Sequence, residues 1–219
     1  MKVGTDGILL GAWAGAWEPR RCLDIGTGTG LIALMLAQRF PAATVDAIEC
    51  ESGAAQQAVE NFQSSPWSHR LNLVERRVQS FETLNTYDLI VSNPPWFRRS
   101  LIAGTAGRTL ARHDETLSTP ELFEAVHRLL TSTGTFCLIA PADDEEHLMA
   151  VAQEHGLFTT RTCDVIPRPG RAAGRVLLAF ASRAPAASAI RESLIVETNV
   201  RHQYTEQFRQ LTRDFYLRF

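Results

Sequence analysis

An α/β domain built on a mostly parallel sheet is what this 219-residue sequence predicts, on three observations. Apolar stretches alternate strand-like and helix-like nearly throughout, the pattern of successive βαβ units. A glycine-rich segment at 24–30 stands between a short apolar strand and a helix. Two apolar runs, 158–165 and 175–181, are joined by a Pro/Gly turn and read as a long hairpin closing the sheet. The expectation is one domain over 1–219 with a central, mostly parallel seven-stranded sheet, an antiparallel C-terminal hairpin and helices on both faces.

The elements follow in order. Residues 5–17 read as an opening helix with Thr5 or Asp6 as its cap, since short polar side chains satisfy the first free N–H groups. Residues 21–25 form the first strand and 31–38 a helix that is apolar almost all round. The second strand is 44–49; the helix after it, 52–62, places Ala55, Ala58, Val59 and Phe62 on one face. Strands three and four are 71–74 and 87–91. The helix at 120–130 turns Leu122, Phe123, Val126, Leu129 and Leu130 inward, and 135–140 is the fifth strand. A helix at 143–155 precedes the hairpin, and beyond it lie a last strand at 194–196 and a helix at 204–216.

Composition narrows the class. Hydrophobic content of 45% and charged content of 21% are those of a soluble globular chain long enough for a large core. No apolar run reaches the length of a membrane span, and Met1-Lys2-Val3-Gly4-Thr5-Asp6 lacks the features of a signal peptide. Cys22, Cys50, Cys137 and Cys163 are widely spaced without a CxxC pair, so they are read as reduced, mostly buried thiols of a cytoplasmic protein. The six histidines show no ligand spacing, and no metal is expected. Net charge is −2, so global charge gives no argument for nucleic acid; its distribution does. Of the 22 basic residues only Lys2 is a lysine. Arg98, Arg99, Arg108 and Arg112 fall in a stretch with no acid, and Arg168, Arg171 and Arg175 gather around Pro169 and Gly170. The first cluster, coming directly after Asn93-Pro94-Pro95-Trp96, is a candidate for phosphate contact.

Asn93-Pro94-Pro95-Trp96 follows the apolar run Leu89-Ile90-Val91 and so sits where a strand stops. Two prolines restrict φ and push the preceding residue into an extended conformation, which makes a stiff elbow. The Asn93 amide oxygen and the Pro94 carbonyl are left as two aimed acceptors, and Trp96 offers a flat face. That combination suits an NH₂ group on a planar system, either an exocyclic amine or an amide.

Asp24-Ile25-Gly26-Thr27-Gly28-Thr29-Gly30 has the spacing D-x-G-x-G-x-G, unlike the G-x-G-x-x-G of dinucleotide folds. The glycines permit a tight turn and close approach of a ligand. An acid at its start suits a ligand carrying an ammonium group, and Glu49, ending the second strand, stands where a ribose-binding carboxylate belongs. Asp24, the glycines and Glu49 together resemble the S-adenosylmethionine site of class I methyltransferases, a Rossmann-like fold. Methyltransferases that act on exocyclic or amide nitrogens carry Asn/Asp-Pro-Pro-aromatic at the end of the fourth strand, where the elbow falls.

A closer resemblance covers residue 2 to the C-terminus. Lys2-Val3-Gly4-Thr5-Asp6-Gly7-Ile8-Leu9-Leu10-Gly11-Ala12-Trp13, the Ser65-Pro66-Trp67 stretch and the 204–217 ending with Phe215-Tyr216-Leu217 are similar to the bacterial family that methylates N6 of the adenosine 3′ of the anticodon in valine tRNA. The resemblance implies transfer of a methyl group from S-adenosylmethionine, with Thr5, Asp6, Asp24, Gly26, Thr27, Gly28, Gly30, Glu49 and Asn93 toward the cofactor. It places Asn93, Pro94, Pro95 and Trp96 at the reacting amine, and Arg98, Arg99, Arg108 and Arg171 on the anticodon loop of the tRNA. Two departures stand out. The family's short basic and aromatic N-terminal extension has no counterpart before the KVGTDG segment, and Arg77 stands where many relatives place an adenine-contacting acid. Arginine cannot accept that hydrogen bond. The elbow alone leaves open a glutamine-amide methyltransferase acting on a release factor and a ribosomal-RNA guanine methyltransferase; the two departures leave open a catalytically silent RNA-binding module.

Overall fold

The computed structural model describes residues 4–15, 17–96 and 117–216. Eight strands form one sheet: β1 (Arg21–Ile25), β2 (Thr44–Glu49), β3 (Leu71–Glu75), β4 (Tyr87–Ser92), β5 (Leu130–Pro141), β6 (Phe158–Ile166), β7 (Arg175–Ala181) and β8 (Ile190–Ile195). Their order is β3-β2-β1-β4-β5-β7-β6-β8. β7 runs antiparallel to β5 and β6, and the other pairings are parallel. The seven-stranded expectation is therefore corrected to eight. The eighth is the strand read at 194–196, which begins earlier, at Ile190, and pairs with β6 from Arg161↔Ile190 to Ile166↔Ile195. It lies at the sheet edge with its first four residues exposed, so it carries little apolar alternation to announce a six-residue strand.

The described helices are α1 (Thr5–Trp13), α2 (Leu31–Arg39), α3 (Ser52–Gln63), α4 (Thr119–Leu129), α5 (Glu145–Glu154) and α6 (Glu206–Thr212). They bury two cores, one on each face of the sheet. Leu9, Leu10 and Trp13 of α1, Leu36 of α2, Phe62 of α3 and Phe208 of α6 pack with Leu89, Val91, Cys137 and Leu177. Phe123 and Val126 of α4 and Leu148 of α5 pack with Leu23, Ile25, Ile90, Phe136 and Leu178. Neighbouring strand residues alternate between the two cores, as the strand pleat requires.

The ends of α1 and the start of α6 depart from expectation for local reasons. α1 starts after Gly4 with no side-chain cap, because Asp6 is engaged elsewhere. It stops at Trp13, where Arg39 of α2 donates to the carbonyls of Gly11 (2.7 Å) and Ala14 (2.5 Å). α6 starts only after Thr205, whose Oγ1 accepts from the Phe208 N–H, while Tyr204 is still bridged to Glu197. α4 opens on a capping box: Ser118 and Glu121 satisfy each other's backbone N–H groups, with Pro120 in the first turn.

Candidate active site at the carboxyl edge of the sheet

The strand order reverses at β1 and β4, and the crevice outside their carboxyl ends is where doubly wound sheets bind ligands. Ile25 is in register with both Ile48 of β2 and Ser92 of β4. The 26–30 loop therefore emerges between Glu49 on one side and Asn93 on the other. The N–H groups of Gly26 and Thr27 both donate to the Ile48 carbonyl, at 2.9 and 3.0 Å, which folds the loop toward β2. Gly26, Gly28 and Gly30 have φ of 71°, 59° and 86°, the left-handed region that favours glycine. At Gly26 the space a Cβ would occupy is open, whereas at Gly30 it would lie 2.5 Å from Cε1 of Phe62. Gly26 thus leaves a cradle, and Gly30 lets α3 pack against the start of α2.

Glu49 is half-buried and bound to the loop. Its Oε2 accepts the Gly28 N–H at 2.9 Å, and its Oε1 accepts those of Cys50 and Glu51 at 2.8 and 2.9 Å. The carboxylate that the sequence placed beside a ribose is also the group that holds the glycine loop in shape.

Asp24 is fully buried under that loop. Its Oδ2 accepts from Thr27 Oγ1 at 2.6 Å and from the Ala33 N–H in the first turn of α2 at 3.1 Å. Its Oδ1 is buried without a hydrogen-bond partner among the described residues. Burial pushes its pKa up to about 7, against the pull of Thr27 and Ala33; the nearby Glu49 charge also raises it. The sequence reading saw only an acid at the mouth of a loop. The structure makes it the loop's floor, with one oxygen left for a donor.

The elbow is fixed from both ends. Ser92 is buried and donates from Oγ to the Ile25 carbonyl at 2.9 Å, which ties the last residue of β4 to the last of β1. Sequence reasoning passed over Ser92; the signal was a lone hydroxyl closing an otherwise apolar strand. Asn93 and Pro94 are half-buried and Pro95 is exposed. Trp96 donates its indole N–H to the Ile139 carbonyl of β5 at 2.8 Å and packs against the second core. It was expected as a free stacking plate; part of it is an anchor holding the elbow against β5.

The remaining predicted residues scatter. Thr5 and Asp6 begin α1, and Asp6 Oδ2 accepts from Arg175 Nε at 2.8 Å. That pair engages one arginine of the basic stretch around Pro169 and Gly170. Arg168 donates to Glu197 at 3.1 Å, and Arg171 is exposed. Arg98, Arg99, Arg108 and Arg112 lie outside the described residues. Arg77 heads a short helical turn at 78–80, with its carbonyl accepting the Ser80 N–H at 3.1 Å. The described cysteines are all free, three of them buried and Cys50 exposed. No described helix is long and apolar enough to cross a membrane.

A mostly parallel sheet carrying a glycine loop, a carboxylate on the next strand and an Asn-Pro-Pro-aromatic elbow across the switch point is the architecture of a Rossmann-like methyltransferase. Comparison with known proteins agrees. A predicted O-methyltransferase from Agrobacterium tumefaciens superimposes with a TM-score of 0.69 at 21% identity, over 95% of this chain and 96% of that one. A protein of Bacteroides thetaiotaomicron named tRNA1(Val) (adenine(37)-N6)-methyltransferase is 44% identical over 218 residues, covering 99% of this chain and 91% of the relative. A relative of the same name from Bacteroides fragilis is 43% identical, covering 100% of this chain and 92% of its own length. Through residues 7–154 the chain belongs to the methyltransferase small domain family, among the relatives that carry that tRNA methyltransferase name.

Proposed function

We propose that this chain transfers a methyl group from S-adenosylmethionine to the exocyclic N6 of adenine 37 in a valine tRNA. The reaction rests on one observation above the others: the Ile25↔Ser92 register, reinforced by the Ser92 hydroxyl, stands Asn93 directly beside the glycine loop. The substrate rests on full-length similarity to relatives bearing that name.

The residues present fit the cofactor. Gly26 leaves open the space a side chain would fill, Glu49 Oε2 retains a lone pair for a ribose hydroxyl, and Asp24 Oδ1 is a buried acceptor with no partner among the described residues. Gly28, Gly30 and Thr27 hold the loop open in that form. When bound, the cofactor supplies a methyl group on a sulfonium centre. The chain's own contribution lies in aiming the amine. An adenine amino nitrogen shares its lone pair with the ring and is a poor nucleophile. Hydrogen bonds from its two N–H groups to the Asn93 side-chain oxygen and the Pro94 carbonyl localise that pair and direct it. This is catalysis by positioning and electrostatics and calls for no strong base. The two prolines keep both acceptors in place, and Trp96 secures the elbow while its remaining face lies against the base. The base must leave its stack, which is cheaper in a single-stranded anticodon loop than in a duplex. Arg171 contacts the tRNA backbone, and Arg98, Arg99 and Arg108 take the same role on the strength of the sequence. Such an enzyme works where tRNA matures, in the bacterial cytoplasm.

Separate incubations of methyl-labelled cofactor with unmodified valine tRNA, purified release factor and ribosomal RNA test the reading. Label recovered as N6-methyladenosine at position 37 is the expected result. Label on a protein glutamine, or at guanine in ribosomal RNA, would replace it.

A further inference from the structure

Two loops leave the carboxyl edge of the sheet beyond β5, and one residue joins them. The β6–β7 loop runs from Pro167 to Gly174 and carries Arg168 and Arg171 with no acid. The segment after β8, from Val196 to Tyr204, carries Arg201 and His202, with Glu197 as its one acid. Because β6 and β8 are parallel, both loops start at the same end of the sheet as Asn93. The backbone joins them first: Val196 N–H donates to Ile166 O at 2.9 Å and Glu197 N–H to Pro167 O at 3.0 Å. The Glu197 carboxylate then clasps them, accepting from Arg168 Nε at 3.1 Å and from the His202 N–H at 3.2 Å.

The second loop is a closed hairpin. Thr198 N–H donates to Gln203 O at 2.7 Å, Gln203 N–H to Val200 O at 3.2 Å, and Tyr204 bridges back to Glu197. His202 takes a left-handed φ of 65°, which holds the turn and leaves Arg201 exposed beside it. Gly170, at φ 74°, turns the first loop so that Arg171 is exposed as well. Glu197, the one acid of the two loops, is occupied by Arg168, so Arg171 and Arg201 project net positive charge. Asp143 and Asp144 follow β5 at the same edge and Asp6 pairs with Arg175, so among the described loops beyond β5 the exposed positive charge lies at the ends of β6 and β8.

We propose that these clasped loops form a rigid platform for the tRNA sugar–phosphate backbone outside the target nucleotide, with Arg171 and Arg201 as its phosphate contacts and Glu197 as its positioning residue. The proposal rests on the tRNA reading given above. Neighbouring strands lie about 4.8 Å apart, so the ends of β6 and β8 stand three and four strand steps from Asn93, roughly 14 and 19 Å away. That is beyond the reach of one flipped base and matches contact with the anticodon stem. Phosphate contacts of this kind fix register and orientation without reading sequence.

The test uses the full chain, an unmodified valine tRNA transcript and S-adenosylhomocysteine. Arg171→Glu and Arg201→Glu should each weaken tRNA binding about tenfold and lower the slope of log affinity against log salt by about 1. Affinity for S-adenosylhomocysteine should stay at its wild-type value. Arg20→Glu makes the same charge change just before β1, at the opposite edge, and should leave the slope unaltered. Glu197→Ala removes the clasp but no cation, and should raise the KM for tRNA without changing kcat. Wild-type affinity and slope in the Arg171→Glu/Arg201→Glu double variant would overturn the platform while leaving the function intact. A wild-type chain that methylates no tRNA would overturn the functional reading, and the platform with it.

Discussion

In the proposed reaction Asn93 and Asp24 divide the work at the residue scale: Asn93 would face the reacting amine, while Asp24 shapes the loop opposite. Asn93→Ala removes one of two acceptors and should lower kcat by about a hundredfold or more while S-adenosylhomocysteine binds as before. Single-turnover kinetics beside calorimetry would separate the two effects; an active variant would remove Asn93 from its role. Asp24 makes a pH prediction. Its folded pKa of about 7 lies above the ordinary value just below 4, so between those limits the folded chain binds a proton that the unfolded chain has released. Stability therefore falls as pH rises from about 4 to about 7, and is fully reduced above that. The gap corresponds to roughly 4 kcal/mol at most. Urea unfolding at pH 5 and pH 8 should show Asp24→Asn gaining on wild type at the higher pH; a parallel fall in both proteins would mean that Asp24 is not the group responsible. Asp24, the glycines and Glu49 were legible in the sequence because turn chemistry is local. Ser92 was not, since its value lies in reaching a carbonyl of another strand.

Among elements, the elbow after β4 depends on a bond to β5. Trp96→Phe keeps an aromatic ring, smaller than the indole, and loses the N–H bond to the Ile139 carbonyl. Thermal unfolding should register a loss of about 1 kcal/mol. If the tether positions Asn93, kcat should drop with it while cofactor affinity holds; an unchanged kcat would reduce Trp96 to packing. Interior boundaries read from the sequence were close because apolar period and turn residues agree: β1, β2 and β7 have the expected limits. The terminal helices were read too long. Residues 14–17 and 204 look apolar enough for a helix, but Arg39 caps the end of α1, and Tyr204 is held in a bridge to Glu197.

Across the whole molecule, β8 is the outermost strand, held by its backbone pairing to β6, by Leu194 in the core, by Glu192 accepting from Arg161, and by Arg191. Its guanidinium bonds Glu145 at the start of α5 at 2.9 and 3.1 Å, and Asp164 of β6 at 2.7 and 3.0 Å. Both carboxylates hold its proton more tightly than usual. The side chain is 55% exposed, and such pairs contribute little to global stability in water. Arg191→Ala should leave the melting temperature nearly unchanged and speed amide exchange across 190–195 a few-fold. A large global destabilisation would show that β8 belongs to the cooperative core and is not a local flap.

The sequence by itself determined the class of fold, the order of the motifs and the edge on which they meet. Hydrophobic period, glycine spacing and proline stiffness all act within a few residues of where they are written. Tertiary structure decided what no local pattern carries. It shut Asp24 beneath the loop, turned Trp96 into a tether, lengthened β8 and laid it beside β6, and paired Asp6 with Arg175 across 169 residues of chain. Those outcomes depend on which strand lies beside which, and hence on the packing of both faces of the sheet, which a linear spacing does not contain.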